Sequence, residues 1–257
     1  MSVKRVDLLR YLTEYWRFME NKIKKILRQI ISALYPVRCP VCDRIVDETG
    51  EMICVACMDK LKLISPPWCM RCGKKVANGE ELCRQCKGKK VFYKRGRALF
   101  EYESAALSIY RFKYGNRREY AMFFGKQMAE YLGDFLMDIQ PDALIPIPLH
   151  KKRMRIRGYN QAELLAKCIG ENLGIPVRTD LMKREKNTIP QKKLNSEERQ
   201  NNLKRAFNIV ENDVKLEKVV LVDDIYTTGT TVNEAAKVLR ESGVKEVYFV
   251  TLACGSR

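Results

Sequence analysis

A chain of 257 residues with 46% hydrophobic content is long enough to bury one full domain and a smaller one. Lysine and arginine outnumber acids 48 to 31, a formal charge of +17, so polyanions such as nucleic acid, acidic lipid or phosphorylated metabolites are favoured partners. No apolar run reaches bilayer-spanning length and no secretory signal opens the chain; the expected location is cytoplasmic, where ten cysteines stay reduced and serve as metal ligands rather than disulfides.

The expected domains are an amphipathic helical segment at 1–36, a small cysteine-rich domain at 37–90 and a main domain at 91–257. In the first, Leu8, Leu12, Trp16, Met19, Ile23, Ile26 and Ile30 recur at three- and four-residue intervals, which predicts a helix. Lys22, Lys24, Lys25 and Arg28 make it basic. Packing on the body or a partner is the ordinary use of such a pattern; an anionic membrane surface or DNA would suit it too.

Four Cys-x-x-Cys pairs follow: Cys39/Cys42, Cys54/Cys57, Cys69/Cys72 and Cys83/Cys86, separated by eleven, eleven and ten residues. Two residues between thiolates let one tight turn aim both sulfurs at a tetrahedral ion, and two turns close a four-thiolate site. Eight cysteines therefore predict two structural Zn²⁺ sites, as in tandem zinc ribbons. Sequential sharing would put the first four on one ion and the last four on the other, and the Pro66-Pro67 break favours it; a cross-braced pattern has the same spacing. A redox pair has no need of four copies, and iron–sulfur ligation has a less even spacing. Cys168 and Cys254 lie in apolar contexts and are expected in the core.

Beyond the cysteines, Gly96–Tyr102 reads as a strand, Ser104–Lys113 and Glu119–Ile139 as helices, and Ala143–Ile147 as a short buried strand. A Pro- and Arg-rich loop is expected up to Gly158, then a helix over Tyr159–Leu173. Asp180–Val210 is polar and interrupted, with short strands at Leu181–Arg184 and Ala206–Val210. Lys218–Val222 and Glu246–Leu252 are strands flanking a helix over Thr230–Ser242. Alternating strands and helices imply a parallel, doubly wound α/β sheet.

The most informative stretch is VVLVDDIYTTGTT, Val219–Thr231. A strand delivers Asp223 and Asp224 to the carboxyl edge of the sheet, where open α/β folds bind ligands, and the next helix offers backbone N–H groups and a positive dipole end to a phosphate. Gly229 permits close backbone approach, and the hydroxyls of Thr227, Thr228, Thr230 and Thr231 can donate to phosphate oxygens. Two acids beside a phosphate must meet hydroxyls or a metal ion, and a sugar diol fits. No Walker A run and no G-x-G-x-x-G occurs.

This stretch resembles the signature of the type I phosphoribosyltransferases. With the cysteine pairs, IPIPLHKKRMRIRGYNQAELLA from Ile145 and QKKLNSEERQNNLKRAF from Gln191, the chain is similar to the ComF family of competence-associated proteins over nearly everything after Leu34. The resemblance implies a type I phosphoribosyltransferase-like parallel sheet preceded by a double zinc ribbon, and phosphoribosyl pyrophosphate (PRPP) with Mg²⁺ as ligand. Asp223 and Asp224 would hold the ribose hydroxyls and Thr227–Thr231 the 5′-phosphate. Pro148, Leu149, His150 and Lys151 would form the pyrophosphate loop, helped by Arg153, Arg155 and Arg157. Arg184, Gln191, Arg199 and Asn202 fall where the family's flexible loop lies. His150, the sole histidine, suits a phosphate contact or a turn-shaping role better than that of a general base.

The resemblance also implies a role in natural transformation and DNA uptake, beside single-stranded DNA, a competence helicase and other uptake proteins. Transferase chemistry would displace pyrophosphate from C1 of PRPP, with an accepting base the sequence does not name. The alternative is a non-catalytic, single-stranded-DNA-binding accessory protein whose pocket is a sensor or vestigial.

Overall fold

The computed structural model describes residues 36–46, 52–185, 206–210 and 215–255. The helix expected over 4–34 and the loop residues Gln191, Arg199 and Asn202 lie outside them. The described residues fall into two compact units, 36–39 with 43–46 and 52–54, and 40–42 with those from 55 onward. In the first, Arg38 and Ile45 bridge antiparallel, and the Asp43 N–H donates to the Cys39 carbonyl at 2.8 Å across a turn in which Asp43 is left-handed.

The second unit repeats that turn: the Gly73 N–H donates to the Cys69 carbonyl at 2.9 Å, Trp68 bridges Lys75, and Gly73 is left-handed. A Cβ on Gly73 would press on the backbone of Gly96 and Arg97, so the turn sits directly against the following strand. A short 3-10 segment, Val55–Lys60, precedes it.

The main sheet has four parallel strands in the order β1-β6-β5-β2: β1 (Gly96–Glu101), β2 (Ala143–Pro146), β5 (Lys218–Tyr226) and β6 (Glu246–Cys254). Residues 62–64 cover the outer edge of β1 through a Leu63–Phe100 bridge. A separate antiparallel pair joins β3 (Met182–Arg184) to β4 (Phe207–Ile209). The helices are α1 (Tyr102–Tyr114), α2 (Tyr120–Ile139), α3 (Lys151–Arg157), α4 (Gln161–Leu173) and α5 (Thr230–Glu241). Among the described residues no helix is long and apolar enough to cross a membrane.

Burial explains the arrangement. Val219 to Val222 are all fully buried, as a central parallel strand covered on both sides requires. Val219 and Leu221 join Phe249 and the stripe Val232, Ala235, Ala236 and Leu239 of α5 in one apolar cluster, which also contains Cys69, Cys72, Cys83 and Cys86. α4 packs on β5 and β2, and α2 packs on α4. Each fully buried valine or leucine contributes roughly 1.5–3 kcal/mol.

Two elements differ from the sequence reading. β5 runs on to Tyr226, because Asp223 pairs with Thr251 and Tyr226 with Cys254, so both acids belong to the strand. The expected loop before Gly158 contains α3. His150 Nδ1 caps it by accepting the Lys152 N–H at 3.2 Å, and Gly158, left-handed, ends it. Lysine, arginine and methionine between two such caps favour a helix even with none of its residues buried.

Candidate functional site

The end of β5 places two carboxyls side by side. Asp223 Oδ1 accepts the backbone N–H of Asp224 at 2.8 Å, and Asp224 Oδ1 pairs with Lys113 Nζ of α1 at 2.8 Å. Burial first, then the charge of Asp224, pushes the Asp223 carboxyl up to about 7, against the pull of Lys113 and Arg184. Arg153 of α3 and Arg184 of β3 both have lowered pKa values, Arg184 down to about 10; burial is the main cause in each, and Asp223 opposes it. The Arg184 guanidinium lies over the Phe207 ring at 5.2 Å. Three cations thus converge on the acid pair, and burial favours the protonated form of one carboxyl.

Immediately downstream the chain turns through Thr227–Gly229 into α5. Gly229 is left-handed at φ 77°, and a Cβ there would overlap the Tyr226 hydroxyl. Thr228 Oγ1 and Thr230 Oγ1 lie 2.8 Å apart, and the first turn of α5 directs backbone N–H groups at this loop. Beneath it Tyr226 stacks on Phe249 with ring centroids 4.8 Å apart, and its hydroxyl meets that of Tyr93 at 2.8 Å in the buried interior.

Pro148, Leu149 and His150 are half-buried, and Lys151 is exposed at the start of α3. Arg157 donates to Gln161 Oε1 at 2.9 Å and to the Tyr114 hydroxyl at 3.1 Å, while Lys151, Lys152 and Arg155 face solvent. The structure therefore brings together Asp223, Asp224, Arg153 and Arg184; Gln191, Arg199 and Asn202 lie outside the described residues. Sequence reasoning missed Lys113. Its only signal is a basic residue in the last turn of a helix, which is ordinary there.

The cysteines fall into two sets, Cys39, Cys42, Cys54, Cys57 and Cys69, Cys72, Cys83, Cys86, with all sulfurs of a set within 4.8 Å of one another. The sulfurs are grouped sequentially, first pair with second and third with fourth, as the sequential scheme requires and the cross-braced one does not. The Cys39–Cys54 and Cys72–Cys83 sulfurs are each 3.7 Å apart. A tetrahedron with Zn–S bonds of about 2.3 Å has edges of about 3.8 Å, so the donors fit Zn²⁺. In the second set all four cysteines are buried.

Residues 30–87 match the Double zinc ribbon domain family and residues 164–256 the Phosphoribosyl transferase domain family. The chain is 33% identical to Competence protein F of Haemophilus influenzae over 211 residues, 78% of this chain and 90% of that protein. It is 29% identical to Competence protein ComFC of Bacillus subtilis over 204 residues, 75% and 80% of the two chains. Among solved structures, the phosphoribosylpyrophosphate synthetase of Mycobacterium smegmatis aligns at 25% identity and TM-score 0.30 over 51% of this chain and 33% of that one. With 33% identity over an alignment that spans 90% of a relative's length, and two four-cysteine ribbon sites ahead of a parallel phosphoribosyltransferase-type sheet, the chain belongs to the ComF family of competence proteins.

Proposed function

We propose that the protein binds phosphoribosyl pyrophosphate with Mg²⁺ and acts in competence, as the names of its relatives suggest for them. The observation that carries this reading is the Asp223–Asp224 pair at the carboxyl end of β5, followed at once by the left-handed Gly229 turn into α5. Carboxylates accept hydrogen bonds from the ribose hydroxyls, and the loop from Thr227 to Thr231 donates to the 5′-phosphate. Arg153 and Arg184, beside the acids, supply charge for the pyrophosphate, with Pro148 to Lys151 as its backbone rim. Mg²⁺ bound with the ligand would neutralise pyrophosphate oxygens as a Lewis acid, and the acid pair is the donor set suited to it. If the ligand is consumed, the protein's share is positional and electrostatic, holding C1 exposed while the leaving pyrophosphate meets fixed cations.

Calorimetric titration with phosphoribosyl pyrophosphate and Mg²⁺ tests the pocket. Wild type is expected to bind, and the Asp223→Asn/Asp224→Asn double variant to bind at least about tenfold more weakly, the loss of one or more charge-assisted hydrogen bonds. Equal binding by the two proteins would refute the assignment. Pyrophosphate release against a panel of bases then separates a transferase from a sensor. A second reading, single-stranded-DNA binding beside the uptake machinery, draws on the charge of +17 and the outward Lys151, Lys152 and Arg155. Its affinity would fall steeply with salt, and a flat salt dependence removes it.

A further inference from the structure

The loop assigned to the 5′-phosphate, Thr-Thr-Gly-Thr-Thr, contains no cation, and it follows two acids. A phosphate there would meet only neutral donors of the loop itself. The missing charge lies on the zinc-ribbon side of the same unit. Lys89, just beyond Cys86, extends its ammonium to the Thr228 carbonyl at 3.3 Å. Of the nearby lysines, Lys87 pairs with Glu80 at 3.0 Å and Lys94 with Glu246 at 2.5 Å, while Lys90 is exposed. Among the described residues Lys89 has no acidic partner.

Four further hydrogen bonds fix the segment that carries Lys89. Arg71, inside the Cys69–Cys72 turn, donates from one guanidinium nitrogen to the Cys86 carbonyl at 2.9 Å and to the Lys89 carbonyl at 2.7 Å. The Phe92 N–H donates to Asn233 Oδ1 in the first turn of α5 at 2.8 Å. The Tyr93 hydroxyl meets that of Tyr226 under Gly229. The strap from Cys86 to Tyr93 is therefore tied to the sulfur cluster at one end and to both flanks of the phosphate loop at the other. Lys89 borders an open depression of about 510 Å³ that it shares with Arg71, Lys90 and Lys94.

We propose that Lys89, presented by the second zinc ribbon, is a ligand-binding residue that pairs with the 5′-phosphate held by Thr227 to Thr231. The proposal rests on the reading of that loop as the phosphate holder. An ammonium has three donors; the Thr228 carbonyl takes one, leaving two for phosphate oxygens as a point charge beside the loop. The ribbon then supplies the site's own chemistry and not only its support.

The experiment titrates the full-length, zinc-loaded protein with phosphoribosyl pyrophosphate, with ribose 5-phosphate by competition, and with pyrophosphate, which has no 5′-phosphate. Lys89→Met is expected to weaken the first two by about tenfold or more and to leave pyrophosphate unchanged, and Lys89→Arg to restore most of the loss. Lys126→Met, an exposed lysine on α2, controls for net charge and is expected to do nothing. Native mass spectrometry checks that each variant keeps the zinc content of wild type. Unchanged ribose 5-phosphate affinity in Lys89→Met, an equal loss toward pyrophosphate, an equal loss in Lys126→Met, or no rescue by arginine each overturns the assignment. If wild type itself fails to bind phosphoribosyl pyrophosphate, the phosphate-loop reading falls, and this one with it.

Discussion

Gly229 meets two demands at one position, since its backbone is left-handed and the space where a side chain would start is filled by the Tyr226 hydroxyl. Gly229→Ala is expected to cost about 1–2 kcal/mol in backbone strain alone and to displace the loop, so ligand affinity falls at least about tenfold; calorimetry beside thermal unfolding measures both. Asp223 supports a second prediction at this scale. Its folded pKa of about 7 lies above the ordinary 3.8, so the folded state holds an extra proton between these values and stability declines as pH rises through that window. Ligand hydroxyls need the ionised acceptor, so affinity is expected to rise between pH 6 and 8. Asp223→Asn is expected to flatten both profiles, and a profile unchanged by that substitution would count against this carboxyl. The gathering of the acids and threonines at one strand end was legible because these residues are contiguous in sequence. Lys113 was not, since an ion pair to Asp224 from a distant helix leaves no local pattern.

At the scale of elements, what periodicity encodes was readable: the helices α1, α2, α4 and α5 and the four strands of the parallel sheet all announce themselves through buried positions. α3 did not, because it buries no residue and is held by its caps, His150 and Gly158. The extension of β5 was hidden for a related reason: Asp223 and Asp224 are poor strand formers, and pairing with β6 overrides that preference. The contact between strap and strand has a sharp test. Tyr93→Phe or Tyr226→Phe alone leaves one buried hydroxyl without its partner, at a cost of about 1–3 kcal/mol, whereas the double variant removes both and is expected to be closer to wild type than either. Urea unfolding of the four proteins measures the cycle, and strictly additive losses would mean that the two hydroxyls do not interact.

For the molecule as a whole, the sulfur geometry sets the metal content. Native mass spectrometry is expected to count two zinc ions, and Cys72→Ser to leave one while lowering stability by at least about 3 kcal/mol, a fraction of the roughly 10 kcal/mol that structural zinc can contribute. A count of two in that variant would remove Cys72 from the ligand set. The spacing of the cysteines made these sites legible, but nothing in it revealed where the second set is seated. Cys69, Cys72, Cys83 and Cys86 occupy the same apolar cluster as Tyr226, Phe249 and the inner stripe of α5. The ribbon and the sheet are therefore not severable there. A chain begun after Cys86 would strip one wall from the interior beneath the Thr227–Thr231 turn, so ribbon residues that touch neither metal nor ligand are expected to affect the proposed phosphate site. Within the second unit, the four-cysteine set and the sheet have a seam in sequence and none in their packing.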